Sequence, residues 1–268
     1  MKYIGFNQGQ YGDLCINTVV CRALKERLPN CELHFGINQK YSSLAPIFEN
    51  HPLINKIHIW EAYNDWPSQK DVDYIMAERY SFTFDAMPPH TQEHWYVNNH
   101  QAAEACLVYG LRPPDNLQVE LNQYFETQRN KRHVALNLFA ETRGDAKTPS
   151  LEQAQKISDL LKAKGYTPVQ IGLPDQPQIC EKRFSGSFFD SIKFTLSCDY
   201  LFTVDSAMAW IASGYSFPTF GIYAYNYYPH VTTSKNWQPV NPNAKYIEKD
   251  KISNITLELI SEEIDKMI

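Results

Sequence analysis

The six cysteines, Cys15, Cys21, Cys31, Cys106, Cys180 and Cys198, form no Cys-x-x-Cys pair and no zinc-type spacing. Most stand in apolar surroundings, which predicts buried free thiols and a reducing compartment. No apolar run approaches the length of a membrane span. Met1 leads straight into strand-like sequence, without the basic and then apolar segments of a secretion signal. A soluble cytoplasmic protein is therefore expected. The formal charge of −5 gives no global attraction to phosphate backbones. An anionic ligand would have to be held by a few placed cations and helix N-termini. Two phosphate fingerprints are missing as well: the third glycine of the dinucleotide motif and the Gly-Lys-Ser/Thr of a P-loop. His90 and His94 lie four apart without further partners, so no metal site is expected.

What the sequence does hold is a Gly-rich turn, Gly9-Gln10-Tyr11-Gly12-Asp13, between an apolar run at Tyr3–Phe6 and a helical pattern. Ile16, Val19, Val20, Ala23, Leu24 and Leu28 recur at spacings of three and four, and Pro29-Asn30 stops the pattern. In an open α/β sheet such a turn lies at the carboxyl edge of the strands, where ligands bind. Asp13 reads two ways. It is either a helix N-cap or a general base facing a cleft, with Gly9 and Gly12 letting a substrate approach the backbone.

Further strands are predicted at residues 32–36, 54–60 and 72–77, with a broken helix at Tyr41–Asn50 interrupted by Pro46. A second helix is expected over Trp95–Leu107, closed by Gly110. Pro113-Pro114 and the polar run Asn122–Arg132 mark a boundary, after which strand–helix alternation restarts. His133–Phe139 reads as a strand and Ala140–Pro149 as a polar loop. Ser150 with Gln153 makes a capping-box pattern for a helix burying Leu151, Ala154, Ile157, Leu160 and Leu161. Strands follow at 167–172, 199–204 and 217–223, with a short helix from Asp205-Ser206 to Gly214 and a last helix over Ser253–Met267. Strands separated by helices argue for βαβ units and parallel sheets.

The predicted fold is therefore α/β, two Rossmann-like domains facing a central cleft. Residues 1–125 form the first domain and 126–250 the second. Residues 251–268 form a C-terminal helix with the option of packing back on the first domain.

Three segments carry a family resemblance. They are Gly12-Asp13 with Asn17-Thr18 and Arg22-Ala23-Leu24-Lys25 up to Pro29, then Lys147 through Gly172, and Asp199 through Tyr223. Together they resemble the GT-B glycosyltransferases of the heptosyltransferase family, which elongate the inner core of lipopolysaccharide. Val204-Asp205-Ser206 and Ala212-Ser213-Gly214 through Pro218-Thr219 echo that family's Asp-Thr-Gly…His-Leu-Ala-Ala…Pro-Thr run. Ser206-Ala207 stand where the family has Thr-Gly, and Trp210 aligns with its His.

The resemblance implies an inverting, metal-independent transfer from a nucleotide diphosphate sugar, with no cofactor beyond that co-substrate. It makes Asp13 the base, which takes the proton of the attacking acceptor hydroxyl. On the donor side it points to Arg143, Lys147, Gly172, Asp175, Asp205, Ser206, Ala207 and Met208. Cations and helix N–H groups there would stabilise the departing diphosphate, and Asp175 would accept from ribose hydroxyls. Gly9, Gln10, Tyr11, Gly12 and His94 fall on the acceptor side. The acceptor is a lipopolysaccharide or other glycan by family default. A hydroxymethylated base in DNA is the alternative, and a non-catalytic sugar-nucleotide-binding module is a reading of another class.

Overall fold

The computed structural model describes residues 2–6, 11–63, 66–67, 82–84, 99–122, 131–140, 144–226 and 231–267. The chain divides into two compact units, Met1–Tyr124 and Phe125–Ile268.

In the first unit, strand β1 (Lys2–Phe6) leads to helix α1 (Tyr11–Arg27) and then to β2 (Glu32–Asn38) and β3 (Lys56–Trp60). A short antiparallel pair, β4 (Ala62–Tyr63) and β5 (Trp66–Pro67), and strand β6 (Phe82–Phe84) follow. The sheet runs β3-β2-β1-β6 with parallel pairings throughout. The apolar face of α1 buries Ile16, Val19, Val20, Ala23 and Leu24 as its spacing predicts, and the helix stops two residues short of Pro29. The Pro46-broken segment is a 3-10 helix, Gln39–Ile47, opened by Asn38, whose side chain accepts the Lys40 N–H at 2.9 Å. Helix α2 (Gln101–Leu107) starts later than its pattern suggests, because His100 caps it by accepting the Ala102 N–H. Gly110, at φ +64, ends this region. The strand expected at 72–77 lies outside the described residues, whereas β6 falls in a stretch whose sequence reads as irregular.

Arg22 ties α1 to the strap that closes this unit. Its guanidinium donates to the carbonyls of Asn116 (2.6 Å) and Gln118 (3.1 Å) and pairs with Glu120 at 3.0 Å. His51 is a satisfied core histidine. Its Nδ1 accepts the Leu53 N–H, which leaves Nε2 to donate to the Glu120 carbonyl at 2.8 Å. Burial therefore pulls its pKa below the usual histidine value.

The second unit begins with β7 (His133–Asn137), a short helix α3 (Gly144–Lys147) and helix α4 (Leu151–Ala163). Next come β8 (Thr167–Gln170), β9 (Lys182–Arg183), α5 (Phe188–Ser197), β10 (Tyr200–Val204) and α6 (Ala207–Gly214). The chain ends with β11 (Thr219–Ala224), β12 (Ala244–Lys249) and α7 (Leu257–Met267). These strands form one parallel sheet in the order β12-β11-β10-β7-β8-β9. All five residues of β10 are buried, the mark of a central strand covered on both faces. On one face Leu136, Phe202 and Phe220 stand side by side with Ala154, Ile157 and Leu161 of α4. The Phe202 and Phe220 rings lie 4.8 Å apart. Helices α5 and α6 pack on the sheet and on each other.

Several sequence expectations are corrected here. The loop at 140–149 contains the helical turn α3. Leu151, assigned to the buried face of α4, is 53% exposed, because it is the helix's first residue and stands off the sheet. Ser150 does cap α4 through the Gln153 N–H, but the Gln153 side chain turns away to the carbonyls of Ile252 and Ile255. A complete capping box sits instead at Ser187 and Asp190, opening α5. The C-terminal helix joins the second unit: Ile260 and Ile264 of α7 are buried in its core with α4.

Replacing Ile260 by Ala should therefore destabilise the protein by about 2–5 kcal/mol, the usual cost of emptying a well-packed core position. Urea unfolding checks this. A loss below about 1 kcal/mol would mean that α7 is a peripheral helix.

Candidate functional site

Parallel sheets expose their loops at the carboxyl ends of the strands, and Tyr11, Gly12, Asp13, Lys147, Gly172, Asp175, Asp205 and Ser206 follow such ends. In the first unit, α1 already begins at Tyr11, so Tyr11, Gly12 and Asp13 belong to its first turn. The N-cap reading of Asp13 is thereby corrected: the carboxylate is the third helical residue, where the positive end of the helix favours its charge. Its Oδ1 accepts from Gln101 Nε2 at 3.4 Å, and Gln101 is only 6% exposed at the start of α2. The nearby Cys15 thiol is fully buried. Burial, with the Asp13 charge adding to it, pushes its pKa well above the usual thiol range. Cys15 is therefore no nucleophile. Gly9, Gln10 and His94 lie outside the described residues.

In the second unit, Asp205 and Ser206 link β10 to α6. Ser206 occupies the N-cap position of α6 without a side-chain cap bond. Its Oγ is engaged with Thr203 Oγ1 at 3.0 Å instead. Ser206 and not Asp205 holds the N-cap position of α6, and the Asp205 carboxylate pairs with Lys147 Nζ at 2.6 Å. Both partners are 14% exposed at the side chain, so water screens the pair poorly. Lys147, read from sequence as loop charge or phosphate contact, is thus a fixed cation at the end of α3. Ala207 and Met208 form the first turn of α6, and Met208 is buried at the side chain, so any contact with an anion is through backbone N–H groups. Arg143 lies outside the described residues.

Beside this pair the second unit carries a cavity of about 980 Å³. Phe139 and Ala140 after β7, the residues on either side of Lys147 (Ala146 and Thr148), and Pro149-Ser150 at the start of α4 line one part of it. Leu173, Asp175 and Gln176 after β8, Asn226 after β11 and Lys251–Ser253 after β12 complete it. The Ala140 N–H donates to Thr148 Oγ1 at 3.1 Å, which ties the residue after α3 to the segment after β7. Asp175 thus lines the cavity. Gly172 does not line it, but its φ of +147 sets the turn that aims this loop. The linings from Asn226 and Lys251–Ser253 were not foreseen, because β12 and the turn after it carry no strong apolar pattern. With a helix start, a lysine, a carboxylate, two amides and apolar walls, the cavity suits a ligand with a flat apolar part and several polar groups. Among the described residues, no group of three or more His, Cys, Asp or Glu side chains is placed to hold a metal ion.

No protein-family model matches the sequence, and no curated protein matches it either. Solved structures do match. The ADP-heptose lipopolysaccharide heptosyltransferase II of E. coli superposes with a TM-score of 0.70 at 13% identity, covering 100% of this chain and 98% of that one. The E. coli heptosyltransferase WaaC, solved with ADP, gives a TM-score of 0.69 at 13% identity over 99% and 97%. A glycosyl transferase family 9 protein from Veillonella parvula gives 0.67 at 12% identity over 99% and 96%. This chain thus has the GT-B fold of the heptosyltransferases along its whole length.

The Lys147–Asp205 pair makes its own prediction. Lys147→Met and Asp205→Asn should each destabilise the protein, and the double variant should lose less than the sum of the two. A coupling of about 1–3 kcal/mol is expected for contacting charges in a poorly screened site. Unfolding free energies of the four proteins measure it, and strict additivity would show that the pair is not formed in solution.

Proposed function

We propose that this chain is an inverting, metal-independent glycosyltransferase. It moves a sugar from a nucleotide diphosphate sugar to a hydroxyl of a lipopolysaccharide or other glycan acceptor. The observation that supports this best is the heptosyltransferase fold match along the whole chain, with a carboxylate in the first turn of α1. In this reading Asp13 takes the proton of the acceptor hydroxyl as its oxygen attacks the anomeric carbon. The bond from that carbon to the diphosphate oxygen breaks on the opposite side, so the configuration inverts. Lys147, held by Asp205, and the N–H groups that open α6 stabilise the charge left on the diphosphate. The cavity beside them takes the nucleoside, with Asp175 toward the ribose. ADP is the first nucleotide to try, because WaaC was solved with it. Gly9, Gln10, Tyr11, Gly12 and His94 are assigned to the acceptor side.

Asp13→Asn tests the base. Asn keeps an acceptor oxygen for Gln101 and a comparable shape, so folding should be preserved. Removing a general base typically costs on the order of 10²–10⁴ in rate, and turnover of the variant should fall by that much at an unchanged melting temperature. A stable variant with nearly full turnover would leave the reaction without its base. Nucleotide binding by the wild type without any transfer would instead favour a binding module.

Metal independence has a separate test. With Lys147 and helix N–H groups supplying the positive charge, transfer should proceed at its normal rate in EDTA. An absolute requirement for Mg²⁺ or Mn²⁺ would contradict the assignment.

A further inference from the structure

The loop from β8 to β9 is built from beneath by two side chains. Gln170, fully buried at the end of β8, donates through Nε2 to the Pro177 carbonyl at 2.8 Å, and its Oε1 accepts the Ile179 N–H at 3.0 Å. Arg183 on β9 supplies the rest. Its Nη1 donates to the Pro174 carbonyl at 3.0 Å and its Nη2 to the Gln176 carbonyl at 2.5 Å. Those two carbonyls flank Asp175. The Gln176 side chain reaches across to the Phe139 carbonyl at 3.4 Å, and a Cβ at Gly172 would collide with its Oε1. Arg183 Nε is itself buried without a hydrogen-bond partner. The guanidinium thus lies where the loop needs it and not where its own donors are best satisfied.

We propose that Arg183 is a positioning residue for nucleotide recognition. By bridging the carbonyls on both sides of Asp175, it holds that carboxylate at the cavity, where it accepts hydrogen bonds from the ribose hydroxyls of a nucleoside diphosphate. The inference rests on the donor-site reading above and adds a residue that touches no substrate. Asp175 is an exposed side chain. On an unsupported loop it would lose conformational freedom each time it met a ligand, and fixing its backbone beforehand removes that cost. Two carbonyls pointing at one side chain call for a planar fork of donors, which an arginine has and a lysine lacks.

Titration calorimetry on the full chain with ADP and with 2′,3′-dideoxy-ADP tests this. The wild type should bind ADP more tightly, and the ratio measures what the ribose hydroxyls contribute. Arg183→Gln should weaken ADP about tenfold, the scale of one charge-assisted hydrogen bond, and leave dideoxy-ADP unchanged. Asp175→Asn should collapse the ratio in the same way, and the double variant should lose nothing further. Arg183→Lys, which keeps the charge but not the fork, should fall between, and it carries the comparison should Arg183→Gln not fold. Equal weakening of both nucleotides would mean general loosening of the cavity, and an unchanged ratio would mean no role; either overturns the proposal. Failure of the wild type to bind either nucleotide would overturn the donor-site reading itself, and the proposal with it.

Discussion

Everything that can act in the second unit depends on β10 being buried along its whole length. A strand covered on both faces and paired on both edges offers the solvent only its end. Its last buried residue, Val204, hands over directly to Asp205 and Ser206, and α6 begins one residue later. Those residues therefore stand at the carboxyl edge of the sheet. In the first unit α1 follows β1 in the chain, and Asp13 occupies its first turn. Each carboxylate stands at the positive end of a helix. Asp13 accepts from the Gln101 amide, and Asp205 pairs with the Lys147 ammonium at 2.6 Å.

The fold was legible wherever apolar spacing decides structure. Helix α1 is readable because five apolar residues recur on one buried face, and β7, β8, β10 and β11 because their runs are buried. Strand β12 was not, since its burial alternates weakly and only Ile247 is buried within it. The capping box of α5 was there to be read in Ser187 and Asp190, but the aromatic and polar mixture of that helix obscured it. Local chemistry also misled where tertiary partners won. Gln153 has the spacing of a capping-box residue, yet two carbonyls near Ile252 compete successfully for its amide.

The candidate site was legible in part for the same reason. Asp13, Lys147, Asp175, Asp205 and Ser206 are polar residues at the ends of readable strands, so pattern alone sends them to the sheet edge. What spacing cannot show is pairing between distant residues. Nothing in the sequence joins Lys147 to Asp205, or Arg183 to the carbonyls around Asp175, because each contact depends on the order in which the strands are laid side by side.

The central claim is that the cavity of the second unit is where a nucleoside diphosphate binds. Amide hydrogen exchange of the full chain with and without saturating ADP measures it directly. The account predicts slowed exchange at residues 139–140, 146–150, 173–176 and 251–253, the segments that line the cavity. Protection confined to other segments, with these unchanged, would contradict it.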